Sequence, residues 1–495
     1  MKKVRIITGI LVPFLTIFFA SGCERARDAS ITYIENEPVI EPDYSGVTVP
    51  YNIAPMNFFI KEEGEGIRIT IKSVNGSETE IKLKDKIAKF PAKSWKKLLN
   101  ENKGGKIEIT VITCDKENKI KEYAPFCIYV ANEPIDQYLC YRLLFPGYES
   151  WSEMQIIQRS LENFKENSVI ENQMLEDNCV NCHTFLKNDP AKFLIHVRGS
   201  LKGTYFVNGK HVTRKILRTG KMIANAVYPA WHPSGRYIVF SSNEVAQAFH
   251  LIHDKRIEVY DQSALLVNYD CERDEISAVE ENDTLKYMET FPCWSPDGDW
   301  LYYCRTKQIS RNFDYRNVRY DLIRRSFDNL TGSFGKDEVV FNAHEKGKSV
   351  SFPNISPDGN YLIFTVHNYG TFPIWHKEAD LYLLDLNNEK IDSMSLNSRE
   401  AESYHSWSSN GKWLVFSSKR GDGLTARLYF AYFGSPGNIG KPFVLPQKDP
   451  TLYDRLGKTF NRPEFITGRI TAGSRDFARA SKNEPVKAIW IDPDR

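Results

Sequence analysis

Within the stretch EDNCVNCHTF, residues Cys179, Cys182 and His183 form a C-x-x-C-H. Two thiols separated by two residues can add across the vinyl groups of one porphyrin edge. The adjoining imidazole can then ligate the iron, the chemistry of c-type haem attachment. Two other chemistries use the same residue types. A zinc site needs four ligands and usually a second close pair, and no second C-x-x-C is present, with His196 the nearest further histidine. A redox dithiol calls for C-x-x-C at a helix start after a strand. On the haem reading one motif implies one haem c, held through thioethers by Cys179 and Cys182 with His183 as an axial ligand. Its sixth ligand is His196, in FLIHVRGS, or alternatively Met222, in GKMIANA.

A second set of candidates lies further on. His232, His376, Asp380 and His405 fall in or beside repeated segments and are candidates for a ligand site on one face of the repeat array, with Arg420 and Asp422 nearby. No G-x-S-x-G, P-loop, Rossmann glycine pattern or H-E-x-x-H is present, and no spacing picks out a catalytic triad.

The elements that must position these residues follow from composition and period. The chain has 495 residues, which predicts more than one domain. It carries 65 basic and 63 acidic residues, so there is no electrostatic case for nucleic acid. Lys2, Lys3 and Arg5 precede an apolar run from Ile6 to Ala20, and ASGC ends at Cys23. This reads as a signal peptide over 1–22, with Cys23 a lipidated first residue and 23–30 a tether. The expectation is an exported, membrane-anchored cell-envelope protein, periplasmic or surface-facing. Over 31–135, GIRITIK, KIEITVIT and FCIYVA alternate with period two between turn signals and predict a β-sandwich-like domain. The period then changes. Met154, Ile157 and Leu161 lie at helical spacing, so 136–195 is expected to be a helical linker that carries the C-x-x-C-H.

From 196 to 495 the chain repeats. YPAWHPSGRYIVFSSN, FPCWSPDGDWLYYCRT, FPNISPDGNYLIFTVH and YHSWSSNGKWLVFSSK align at Trp231, Trp294, Ile355 and Trp407, spaced by 63, 61 and 52 residues. That length suits four strands per unit, the size of a propeller blade. The tryptophans read as blade-core packing and the turn aspartates as turn formers. NRPEFITGRI at the end and GTYFVNGKHV before Trp231 are candidates to pair and close the ring.

These repeats resemble the W-x-P-D-G repeats of TolB-like, WD40-like (PD40) β-propellers. The whole arrangement resembles exported bacterial monohaem lipoproteins that carry PD40 repeats. The fold expected is therefore mainly β, with a sandwich-like domain, a short helical haem segment and a propeller of six blades. Three roles remain open. One is electron transfer or binding of a redox partner. Another is a binding or scaffold propeller for a partner protein or an envelope glycan, with haem structural or absent. The third is a haem-assisted oxidoreductase.

Overall fold

The computed structural model describes residues 31–147, 153–252, 255–280, 286–310 and 313–492. Residues 1–30, which include the leader, Cys23 and the tether, lie outside them.

In the N-terminal domain the period-two segments become strands with one face inside. Ile67, Ile69 and Ile71 of Gly66–Lys72 and Ile107, Ile109 and Val111 of Lys106–Cys114 are buried. These strands belong to a seven-stranded sheet. A three-stranded sheet (Ile40–Glu41, Phe58–Ile60, Ile87–Ala88) and a helix, Ala92–Glu101, complete the domain. The helix buries Trp95 and Leu99, one turn apart on the same face. This core runs without a break into the propeller, where Trp413, Phe430 and Phe460 join it.

The propeller has six blades, and it begins well before residue 196. Blade 1 takes three strands from the segment expected to be a helical linker, Tyr138–Leu144, Gln155–Ser160 and Glu166–Glu171. Its innermost strand, Thr459–Ile466, comes from the other end of the chain and pairs antiparallel with Tyr138–Leu144. The predicted helix is thus a strand. The spacing of Met154, Ile157 and Leu161 is helical, but Gln155–Ser160 has hydrogen-bonding partners on both sides, and that pairing overrides local preference. Blade 2 runs from Cys179–Phe185 through Lys192–Arg198 and Gly203–Asn208 to His211–Ile216. The C-x-x-C-H is therefore on an inner strand. GTYFVNGKHV belongs to the outer half of blade 2 and does not close the ring.

Blades 3 to 6 start at the inner strands Ala226–Trp231, Tyr287–Trp294, Ser349–Ile355 and Glu402–Trp407. After the closing strand, a helix (Ser474–Lys482) leads to short edge strands on blades 2 and 3.

Neighbouring blades are joined by side chains of the repeat. The indole N–H of Trp231, Trp294 and Trp407 donates to the carbonyls of Thr184, Ala230 and Asn354 on the preceding blade, at 3.4, 3.2 and 3.3 Å. In blades 4 and 5 the turn after the inner strand is built by its own Ser and Asp. Ser295 Oγ meets Asp297 Oδ1 at 2.5 Å and accepts from the Trp300 N–H at 2.9 Å, and Ser356 and Asp358 repeat this. Gly298 takes φ 87°, and His232 Nε2 of the previous blade lies 3.1 Å from its carbonyl oxygen. A Cβ added there would stand 2.4 Å from that nitrogen. We therefore expect Gly298→Ala to destabilise by about 2–4 kcal/mol, combining left-handed strain with overpacking. Chemical denaturation of Gly298→Ala with and without His232→Ala measures this, and removal of the imidazole recovers the overpacking part.

Candidate functional site

The inner strands share one local feature. Each breaks its register with the second strand by one residue, a β-bulge. In five blades the first bulge residue is a non-glycine in left-handed backbone: Arg462 (φ 47°), Tyr228 (48°), Phe291 (54°), Phe352 (54°) and Tyr404 (49°). These side chains meet in the central channel. Phe291 is 4.6 Å from Tyr228 and 4.1 Å from Phe352, ring centre to ring centre, and Phe352 is 4.9 Å from Tyr404. The Arg462 guanidinium lies 5.9 and 5.8 Å from the Tyr228 and Phe352 ring centres. The result is an aromatic plug with one cation in it.

The plug separates two cavities. One, of about 530 Å³, opens on the side of the Ser-Pro-Asp-Gly turns and is lined by Trp231, Pro296, Pro357 and Glu464, among others. Burial pushes the Glu464 carboxyl up to about 7, although the Arg462 charge pulls the other way. The other cavity, of about 190 Å³, lies across the plug, and Cys179 and Cys182 are in its wall. In blade 2 the bulge falls at Asn181 and Cys182. In a regular strand, residues three apart face opposite sides. The extra residue resets that alternation, so both thiols reach the same cavity. Both are free and buried. Cys179 Sγ lies 3.9 Å from Met154 Sδ, which blade 1 supplies.

His183 does not share this cavity. Its ring is 1% exposed, and its nearest polar neighbours are the carbonyls of Cys140 and Arg462 in blade 1. Among the described residues neither ring nitrogen has a hydrogen-bond partner of good geometry. Burial, helped by the Arg462 and Arg142 charges, lowers its pKa to about 3, so the ring is neutral. His196 faces the opposite side of the blade. It lines a cleft with Leu217 and Ala226, with Nδ1 3.4 Å from Thr204 Oγ1, and burial beside Arg198 lowers it to about 3. Met222 is packed in a core with Leu217, Ile238, Phe240 and Tyr269.

This arrangement does not fit a c-type haem. A porphyrin joined to both thiols would occupy their cavity, while the imidazole meant for its iron points into the cleft against blade 1. Among the described residues no group of three or more His, Cys, Asp or Glu is placed to hold a metal.

The remaining candidates are dispersed. His232 holds the blade 4 turn, and His405 Nε2 lies 2.9 Å from the Ile363 carbonyl, between blades 5 and 6. Arg420 pairs with the buried Glu402 at 3.0 Å, and Asp422 accepts from the N–H groups of its own turn. Asp380 is raised to about 6 by burial and by Glu402. His376 belongs to a clamp the sequence does not announce. Strands Tyr237–Phe249 and Ile257–Asp270 of blade 3 form a long hairpin, and its Val245, Gln247, Ile257 and Val259 line the 190 Å³ cavity. Glu258, near its tip, is buried. It accepts from Lys255 at 2.6 Å and Tyr369 at 3.0 Å, and His376 Nε2 lies at 3.3 Å. The arm is thus fixed to blade 5, where Ile257 also packs on Ile374 and Trp375.

The hairpin-covered cavity has an uneven wall. Arg142, Arg198, Lys419 and Arg462 line it, and among the described residues no Asp or Glu does. Among the described residues none of the three arginines forms an ion pair, although Arg142 donates to Asn181 Oδ1 at 2.6 Å. Arg462 Nη1 is buried without a partner. The Lys419 ammonium sits 3.1 Å from the centre of the Trp375 ring. The rest of the wall is aliphatic or aromatic, including Phe145, Phe372 and Phe460.

Residues 230–454 match the family model of the prolyl oligopeptidase N-terminal β-propeller domain. No curated protein matches the chain. Among solved structures, TolB from Acinetobacter baumannii is 12% identical over 72% of this chain and 79% of its own, with a TM-score of 0.43. A hypothetical selenium-binding protein from Sulfolobus tokodaii is 10% identical over 86% of this chain and 99% of its own, with a TM-score of 0.39. An oligogalacturonate lyase from Vibrio parahaemolyticus is 10% identical over 60% and 91%, with a TM-score of 0.32. The chain is a β-propeller similar to TolB and to the prolyl oligopeptidase N-terminal propeller.

Proposed function

We propose that this protein is a binding propeller, and that its ligand is a compact organic anion, a carboxylate or sulfonate with an apolar body. The observation that carries this reading is the cationic cavity wall, with three arginines, a lysine and, among the described residues, no carboxylate around an apolar space. These guanidiniums are half-buried, with no carboxylate among the described residues of the cavity wall, and a bound anion would offset the cost of withdrawing them from water. Arginine also suits a carboxylate or sulfonate through paired N–H donors. The hairpin supplies the apolar roof. On the same reading the leader and Cys23 place the propeller at the cell envelope on a lipid anchor. No step in this function passes through haem.

Calorimetry with octanoate, phenylbutyrate and octyl sulfonate against octanol tests the site. The anions should bind and octanol should not. Arg142→Gln/Arg198→Gln should weaken anion binding by about tenfold or more, which is about 1.4 kcal/mol. Equal binding of octanol, indifference to the double substitution, or no binding of any anion would overturn the reading.

A pyridine haemochrome spectrum of the chain, exported in a host with c-type maturation, is expected to show no covalent haem. A c-type signal that disappears in Cys179→Ala/Cys182→Ala would mean that the inner strand of blade 2 rearranges around haem, and the electron-transfer role would replace this one.

The clamp predicts a pH window for ligand retention. Burial lowers the His376 pKa, but Glu258 and Glu378 more than offset this, and the net shift is upward. Its contribution is fully present below the unfolded histidine pKa and is lost as pH rises through the raised folded value. Burial raises the Glu258 pKa, but His376 and Lys255 carry it below the usual value. That contribution is present above the unfolded glutamate pKa and is lost as pH falls through the lowered folded value. Protection of the hairpin amides, taken relative to their intrinsic exchange rate at each pH, should therefore be greatest between these limits. Glu258→Gln should lower it within the window and flatten the profile.

A further inference from the structure

We propose that Cys179 and Cys182, with Met154, form a binding site for a single cuprous ion. The bulge at Asn181 and Cys182 turns both thiols into one cavity, and Met154 places its thioether sulfur 3.9 Å from Cys179 Sγ. All three donors are soft, and soft thiolate and thioether ligands select Cu(I). Zinc is disfavoured by the same inventory. It asks for four ligands, and among the described residues no histidine, aspartate or glutamate lines this cavity.

The charge of the surroundings points the same way. On binding, each thiol releases its proton to solvent as its Cu–S bond forms. No electron changes hands when the metal is supplied as Cu(I). Two thiolates and one Cu⁺ leave a unit negative charge. That charge falls among Arg142, Arg198 and Arg462, which line the cavity with no carboxylate to oppose them. A divalent ion held by neutral ligands would be repelled by the same wall. The site uses the cavity assigned above to an organic anion, but it rests on the sulfur atoms and does not require that assignment.

The test uses the full mature chain, reduced and kept anaerobic, and titrated with Cu(I) held by bicinchoninate. The expected result is withdrawal of one equivalent of Cu(I). Cys179→Ser/Cys182→Ser should abolish that transfer while circular dichroism stays that of the wild type. Met154→Leu, which keeps the apolar volume, should weaken binding by about tenfold, the scale for loss of one supporting contact at a metal site. Failure to draw Cu(I) from the competitor would overturn the proposal. So would unchanged uptake by the double variant, which would place the metal on other thiols. The octanoate titration of the same double variant reports the anion site separately, so failure of one reading is not mistaken for failure of the other.

Discussion

The register break in each inner strand is the constraint on which the rest of the structure depends. A regular strand next to the propeller axis points its side chains alternately at its two neighbouring blades, and none of them fills the channel. One extra residue, held in left-handed backbone, turns a side chain to the axis. Left-handed backbone costs a non-glycine residue about 1–2 kcal/mol. Five blades bear that cost and recover it in a stacked aromatic plug and the cation over it. In four of these blades the next residue is proline: Pro229, Pro292, Pro353 and Pro463. A bulge interrupts the ladder, so a residue without an N–H gives up little there.

Blade 2 obeys the register and departs from the chemistry. Its bulge pair is Asn181 and Cys182, where other blades have an aromatic residue or arginine followed by proline or histidine. Small side chains there leave the plug open on one side, and the thiols stand in that space. The C-x-x-C-H is in this view a blade's inner strand with its bulge position altered. Its histidine parts from its thiols because the bulge sends Cys182 into the cavity with Cys179 and His183 the other way.

The repeat was legible because its turn is local chemistry. Ser-Pro-Asp-Gly, with its variants His-Pro-Ser-Gly and Ser-Ser-Asn-Gly, fixes a turn within five residues, and four turns of this kind mark four blades in the bare sequence. Blades 1 and 2 lack it. Blade 2 turns through Leu186–Asn188 and Asp189, and blade 1 is assembled from strands more than 280 residues apart. No local period can announce that pairing, and so Met154, Ile157 and Leu161 suggested a helix. The site was harder to read for the same reason. C-x-x-C-H states which residues are present and leaves their directions to the backbone. On a helical turn the two sulfurs and the imidazole would converge, and on a bulged strand they do not. Met154, Arg142 and Arg198 reach the cavity from strands and loops whose spacing carries no signal. The hairpin clamp joins Glu258 to His376 across 118 positions.

What unites the cavity is the sign of its field. Arginine in the plug is not required for packing, since four other blades fill that position with a ring. Arg462 brings a charge to a place where a phenylalanine would stack, and Arg142 and Arg198 add two more within the same wall. Among the described residues nothing acidic balances them from the cavity side, while Glu464, the carboxyl that feels Arg462, lines the opposite mouth. A site arranged in this way discriminates by charge before it discriminates by shape. It holds a carboxylate on an apolar tail, and it holds a metal only when the ligands make the complex an anion. Two thiols satisfy that condition, whereas a neutral imidazole set would not. The direction of the two sulfurs and the excess of arginine are therefore one feature of the cavity, and the plug that confines it keeps that field from the wider mouth.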